Sequence, residues 1–213
     1  MEPFALAGPA GRIEGRLELP DASTLATPRF LAVFGHPHPQ HGGTMQNRVV
    51  VHGARALAGQ GGAVARFNFR GVGQSEGCYD EGRGELDDYL AVVAHLRARW
   101  PQVPAMIAAG FSFGSIRAFE CAARGAATAW LGVAPPLALP KYAGHVPERL
   151  AVPAALVLAG ADEWVAAPTP DELARRFTEL RAVTSIAGAG HLFSGRVAEV
   201  GAAVAKLLPE LLR

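Results

Sequence analysis

Ser112 has the setting that most directly suggests chemistry. It lies in Gly110-Phe111-Ser112-Phe113-Gly114, between the apolar run at 105–109 and the helix-like run at 116–124. A chain passing from strand to helix over one serine must turn sharply, and glycines two residues to either side let the two elements pass without a clash. Such a turn holds the hydroxyl above the sheet. It also sets the N–H of Phe113 at a helix N-terminus, where negative charge is favoured. A serine hydroxyl is a weak nucleophile until a base takes its proton, and the usual base is a histidine oriented by a carboxylate. Two residues answer that need. Asp162, in Gly160-Ala161-Asp162-Glu163, follows the apolar run at 155–159; His191, in Gly190-His191-Leu192-Phe193, follows the run at 183–186. Each alone is an ordinary loop residue. In this order, at successive strand ends after the serine turn, they read as Ser112, Asp162 and His191 of one acyl-transfer site.

Glu163 is the nearest rival for the acid, and Asp80, Asp87 and Asp88 are more distant ones. Asp162 is preferred because it comes first after its strand and its short side chain favours a fixed geometry. An oxyanion needs two N–H donors. Phe113 is the first. The second is expected in the loop after Phe30–Phe34, where Pro37 and Pro39 have no N–H to give. That leaves His36, His38 and Gln40, of which His38 is chosen.

The positioning elements can be read from hydrophobic pattern. Residues 12–19 alternate, as a half-exposed strand does. Runs at 30–34, 105–109 and 155–159 are continuously apolar, the mark of strands covered on both faces; 128–133 is read as another buried strand, and 63–69 and 183–186 as further strands. Helical spacing is read over 47–60, 85–100, 171–180 and 197–212, besides the run after Ser112. Pro20 to Pro28 and Gly71 to Gly84 are read as connections. Apolar strand, loop and helix in repetition predict an α/β fold, a mainly parallel sheet with helices on both faces, and function at the carboxyl ends of the strands.

A chain of 213 residues suits one domain, taken as residues 1–213. Twenty Lys and Arg against nineteen Asp and Glu give no sign of a nucleic-acid or membrane partner. Cys78 and Cys121 match no metal spacing and read as reduced thiols, Cys121 packed inside its helix. No signal-peptide pattern and no membrane-length apolar run is read, so a cytoplasmic protein is expected.

Four blocks together resemble the α/β-hydrolase superfamily, in its small, lid-poor serine hydrolase and esterase group related to dienelactone hydrolase-like proteins. They are His36-Pro37-His38-Pro39 with 42–47; the segment 67–77; Gly110-Phe111-Ser112-Phe113-Gly114; and Gly160-Ala161-Asp162-Glu163 with Gly190-His191. The similarity runs from about residue 29 to the C-terminus, and the order serine, acid, histidine is that of the fold. In similar proteins the loop after the third strand reads His-Gly, and the following residue gives the oxyanion N–H. Here Pro37 replaces that glycine and His38 stands at the donor position. The resemblance implies cofactor-free cleavage of a small ester by way of an acyl-enzyme. A thioesterase or amidase on the same residues, or a non-catalytic binding protein of this fold, are the alternatives.

Two other readings of the same residues are weaker. His36, His38 and His41 form H-x-H-x-x-H, which resembles the first ligand cluster of metallo-β-lactamase-like hydrolases. Gln40 stands where that motif has aspartate, no metal is expected, and these histidines are read as lining the pocket mouth or as solvated. The glycines of 71–77 lack P-loop spacing; Arg70 is instead expected to pin this loop through Asp80, Glu85 and Asp87. Between Ala134 and Ala154 only about 20 residues remain, rich in prolines (Pro135, Pro136, Pro140, Pro147, Pro153) and without a long apolar helix. That predicts no large cap and an open, modest pocket for short-chain esters, with Leu137, Leu139, Tyr142, Trp164 and Phe193 as candidate walls.

Overall fold

In the computed structural model the described residues form eight strands and five helices, and all but the first strand follow the order the pattern suggests. Residues 1–21, 27–139, 142, 144 and 148–213 are described. The strands are β1 (Glu2–Gly8), β2 (Gly11–Glu18), β3 (Phe30–Gly35), β4 (Gly62–Phe67), β5 (Met106–Phe111), β6 (Ala129–Val133), β7 (Ala154–Ala159) and β8 (Leu180–Ile186). The helices are α1 (Arg48–Gly59), α2 (Arg83–Arg99), α3 (Phe113–Ala123), α4 (Pro170–Arg176) and α5 (Val197–Leu211). They build one sheet of order β1-β2-β4-β3-β5-β6-β7-β8, parallel from β4 to β8 and antiparallel at the β1–β2 edge.

Strand side chains alternate between two cores, as their period of two requires. Leu31, Val33, Met106, Ala108, Trp130 and Leu156 face α2 and α3. Phe30, Ala32, Phe34, Ile107, Ala109 and Leu131 face α1 and α5. Burial on both faces explains the unbroken apolar runs. The buried Tyr89 hydroxyl lies 2.6 and 2.9 Å from the carbonyls of Val33 and Ala109 and accepts the N–H of Ala109, tying β3 to β5 below the loops they feed.

The structure differs from the sequence reading at three elements. Strand β1 is unforeseen: its residues are only half covered, and Pro3, Ala5 and Gly8 are poor strand formers that pair here because β2 lies alongside. Helix α4 stops at Arg176 rather than Leu180, because Phe177 turns extended, enters the core and bridges Leu150. Leu180 therefore opens β8, beside Ala154. The expected strand at 63–69 ends at Phe67, and Asn68 and Phe69 turn inward to brace loops. Pro140, Pro147 and the middle of the 20–28 connection lie outside the described residues. Among the described residues no helix is long and apolar enough to cross a membrane.

Candidate active site

At the carboxyl end of β5 the chain bends through Ser112 at φ 51° and ψ −119°, then enters α3 at Phe113. A non-glycine residue at such angles costs on the order of 1–3 kcal/mol, so the surroundings must hold it. Ser112 N–H donates to the Val133 carbonyl at 2.9 Å, and the Ser112 carbonyl accepts from the Ser115 N–H at 2.9 Å and the Ser115 hydroxyl at 2.5 Å. The glycines act as expected. A Cβ on Gly110 would stand 2.3 Å from the Gly114 backbone, and one on Gly114 would stand 2.4 Å from the Gly35 backbone and 2.6 Å from the His36 carbonyl. Backbone packs on backbone at the elbow.

The loops after β7 and β8 bring Asp162 and His191 to Ser112. His191 Nε2 lies 2.9 Å from Ser112 Oγ, and His191 Nδ1 lies 2.7 Å from Asp162 Oδ2. Asp162 uses its other oxygen to accept the N–H groups of Trp164 (2.9 Å) and Val165 (2.8 Å). The carboxylate is thus fixed as an acceptor, which assigns Nδ1 as the protonated nitrogen and leaves Nε2 to receive the serine proton. Glu163, the nearest rival for the acid, accepts the backbone N–H of His191 at 3.0 Å and so helps seat the imidazole. The imidazole is buried, with Phe111 against it from the core and Trp164 from the cavity side.

Of the three histidines of the 36–41 loop, His38 and His41 line the cavity as expected and His36 does not. His36 is fully buried: Nε2 accepts the Phe69 N–H at 3.1 Å, and Nδ1 lies 2.6 Å from the Pro37 carbonyl. It is therefore a neutral ring with both nitrogens in use. Burial lowers its pKa to about 4, with the His38 charge adding to that and the Pro37 bond opposing it. It is not at the pocket mouth or solvated, as a loop histidine was expected to be. His38 lines the cavity, accepts the Gln40 N–H at Nδ1 (3.3 Å) and meets the Tyr79 hydroxyl at Nε2 (3.2 Å). Its ring stacks on His41 and packs against Phe113. Among the described residues no group of three His, Cys, Asp or Glu is placed to hold a metal ion.

Several supports gave no signal in the sequence. The buried Arg66 donates to the Met45 carbonyl at 2.6 Å and to Glu18 at 2.7 Å, and Asn68 accepts the Met45 N–H, so β4 braces the cavity wall that Asn47 completes. Arg70 does pin its loop, but through Asp88, which had been weighed only as a distant acid. Two side-chain bonds of 3.0 and 2.8 Å and the Arg70 N–H converge on that carboxylate. Glu85 instead accepts the N–H groups of Asp80 and Gly82, and Asp87 is exposed. Beneath the elbow, Arg117 is wholly buried, with its guanidinium carbon 5.0 Å from the centre of the Phe113 ring. Glu120 lies 3.0 Å away, too poorly aligned for a hydrogen bond, and burial lifts the Glu120 pKa to about 7.

The site opens into a cavity of about 570 Å³ walled by Ser112, His191, His38, Tyr142, Trp164 and Leu192, among others. Leu139, Tyr142 and Trp164 are walls as expected. Leu137 and Phe193 are core residues instead, Phe193 packing against Phe111.

A sheet of this order, a strained serine at the end of β5 and the acid and histidine after β7 and β8 define an α/β serine hydrolase fold without a lid. The family model for serine aminopeptidases of the S33 type matches residues 39–150, and the chain belongs to that family of α/β hydrolases. The match covers the elbow and stops short of Asp162 and His191. An α/β serine hydrolase homologue from Coxiella burnetii has a similar structure, with TM-score 0.86, 33% identity and 97% of each chain covered. The α/β serine hydrolase without lid from Xanthomonas campestris is similar at TM-score 0.82 and 29% identity, over 99% of this chain and 94% of that one. An uncharacterized protein of Rickettsia prowazekii is 31% identical over 204 residues, 92% of this chain and 84% of the relative.

Proposed function

We propose that the protein hydrolyses small carboxylic esters through an acyl-enzyme on Ser112. The observation that carries this reading is the continuous hydrogen-bonded chain from Ser112 Oγ through His191 to Asp162. In the first half-reaction His191 Nε2 takes the serine proton while Oγ bonds to the ester carbonyl carbon. The N–H groups of Phe113 and His38 stabilise the oxyanion, a pair of donors each worth about 10²–10³ in rate. As the tetrahedral adduct collapses, the C–O bond to the alcohol breaks and His191 returns its proton to the leaving oxygen. Water, deprotonated by the same imidazole, then adds to the acyl carbon, and the acid departs as Ser112 regains its proton. Asp162 favours the imidazolium that forms in each half and takes no proton itself.

The elbow explains why no cofactor is invoked: strained backbone, base and acid are all supplied by this chain. The cavity of about 570 Å³ has ample room for acetate and butyrate esters, which are taken as the substrates because the chain between β6 and β7 is too short for a large cap. Replacing Ser112 by Ala should lower kcat for a butyrate ester by about 10⁴-fold or more while the melting temperature is kept. Turnover near that of wild type in the Ala variant would remove Ser112 from the mechanism. Faster cleavage of long-chain than of short-chain esters would overturn the substrate size.

A further inference from the structure

Four large apolar side chains are strongly exposed among the described residues, and two of them, Trp164 at 58% and Leu192 at 46%, stand together at the mouth of the catalytic cavity. Trp164 is held rather than loose. Its backbone N–H is bonded to Asp162 Oδ1, on the turn that orients His191, and its ring centre lies 5.0 Å from that of His191. An aromatic face left open to solvent beside a reacting imidazole is a surface awaiting a partner.

Resting on the reading that Ser112 is acylated, we infer that the alcohol part of the substrate is aromatic and stacks on Trp164. The side of the cavity follows from the chemistry. His191 Nε2 must hand its proton to the leaving oxygen, so that oxygen lies against His191 and whatever it carries extends over the neighbours of the imidazole. Those neighbours are Trp164 and Leu192. With the oxyanion assigned to the N–H groups of Phe113 and His38, the acyl group is left the remaining wall of Leu139 and Tyr142. An indole favours a planar π partner over a saturated ring of equal size, and Leu192 adds an apolar edge. Trp164 is thus assigned as the residue that selects the leaving group.

The test compares benzyl acetate with cyclohexylmethyl acetate, two esters of nearly equal bulk that differ in the π face of the alcohol. Ethyl phenylacetate and ethyl cyclohexylacetate form the matched pair for the acyl side. Wild type should prefer benzyl acetate, and Trp164→Ala should reduce the kcat/KM ratio of the first pair about fivefold, within the range of one aromatic contact. Trp164→Phe should keep most of it, and the acyl-side ratio should not move. An unchanged benzyl preference in Trp164→Ala, or a loss confined to the acyl-side pair, would overturn the assignment. A second readout does not depend on turnover. Benzyl alcohol, and not cyclohexylmethanol, should quench the part of the tryptophan fluorescence that Trp164→Phe removes. Equal quenching by both alcohols would count against the inference with Ser112 chemistry intact, whereas quenching by benzyl alcohol alone in a protein that cleaves none of the four esters would count against the acyl-enzyme reading and keep the aromatic site.

Discussion

The elbow and the rim of one cavity are built on opposite terms. At the elbow, Gly35, Gly110 and Gly114 bring three backbone segments into direct contact, and Phe113, Ser115 and His36 around them are fully or almost fully buried. At the rim, Trp164 and Leu192 project from loops and are about half exposed to solvent. A substitution at the elbow must move main chain, so it affects folding and chemistry at once. A substitution at the rim moves one side chain and leaves the nucleophile where it was. On the proposed reading, the reaction rests on backbone packing and the choice of substrate on side chains that can change independently.

The largest effect should come from adding one carbon at the elbow. Gly114→Ala sets a methyl 2.4 Å from the Gly35 backbone, and since neither segment can retreat, a loss of about 3 kcal/mol or more is expected, with turnover falling in parallel. Gly59→Ala is the control, because nothing lies within 4 Å of its Cβ position in α1 and a slight gain in stability is expected there. Equal melting temperatures for the two variants, read in one thermal scan, would mean that the elbow is not packed as described.

Acid should break the same region next. His36 titrates near 4 when folded and near its ordinary 6.5 when unfolded, so between those values the unfolded chain binds more protons than the folded one. Stability from this group is complete above about pH 6.5, declines as the pH falls, and levels off below about 4, a total of about 3 kcal/mol. Denaturant melts at pH 7, 5.5 and 4 should show this slope in wild type and a shallower one in His36→Gln. Parallel slopes would place the acid sensitivity elsewhere. The fivefold change in substrate ratio expected for Trp164→Ala is the smallest of the effects, and it should arise with no change in stability.

Legibility in the sequence divides along the same line. The elbow could be read because glycine at 110 and 114 has a single steric cause, and the buried strands because apolar runs have one too. Asp162 and His191 could be placed because parallel strands deliver their loops to one edge. His36 could not be told from His38 by pattern, since burial depends on Phe69, which is distant in sequence and arrives only when β4 lies beside β3. Arg70 was matched with the acids nearest in sequence, whereas α2 turns Asp88 inward and leaves Asp87 exposed. Leu137 and Phe193 show the same limit. An aromatic or aliphatic residue near the site reads alike whether it faces the cavity or the core. Strand β1 left little trace because its stability comes from its partner rather than from its own residues.

The most direct test of the central claim is labelling with a fluorophosphonate probe, followed by mass spectrometry of the modified peptide. A single adduct on Ser112 is expected, one that disappears when His191 is replaced by Ala and is indifferent to a chelator. An adduct elsewhere, or chelator-sensitive ester hydrolysis without any adduct, would contradict it.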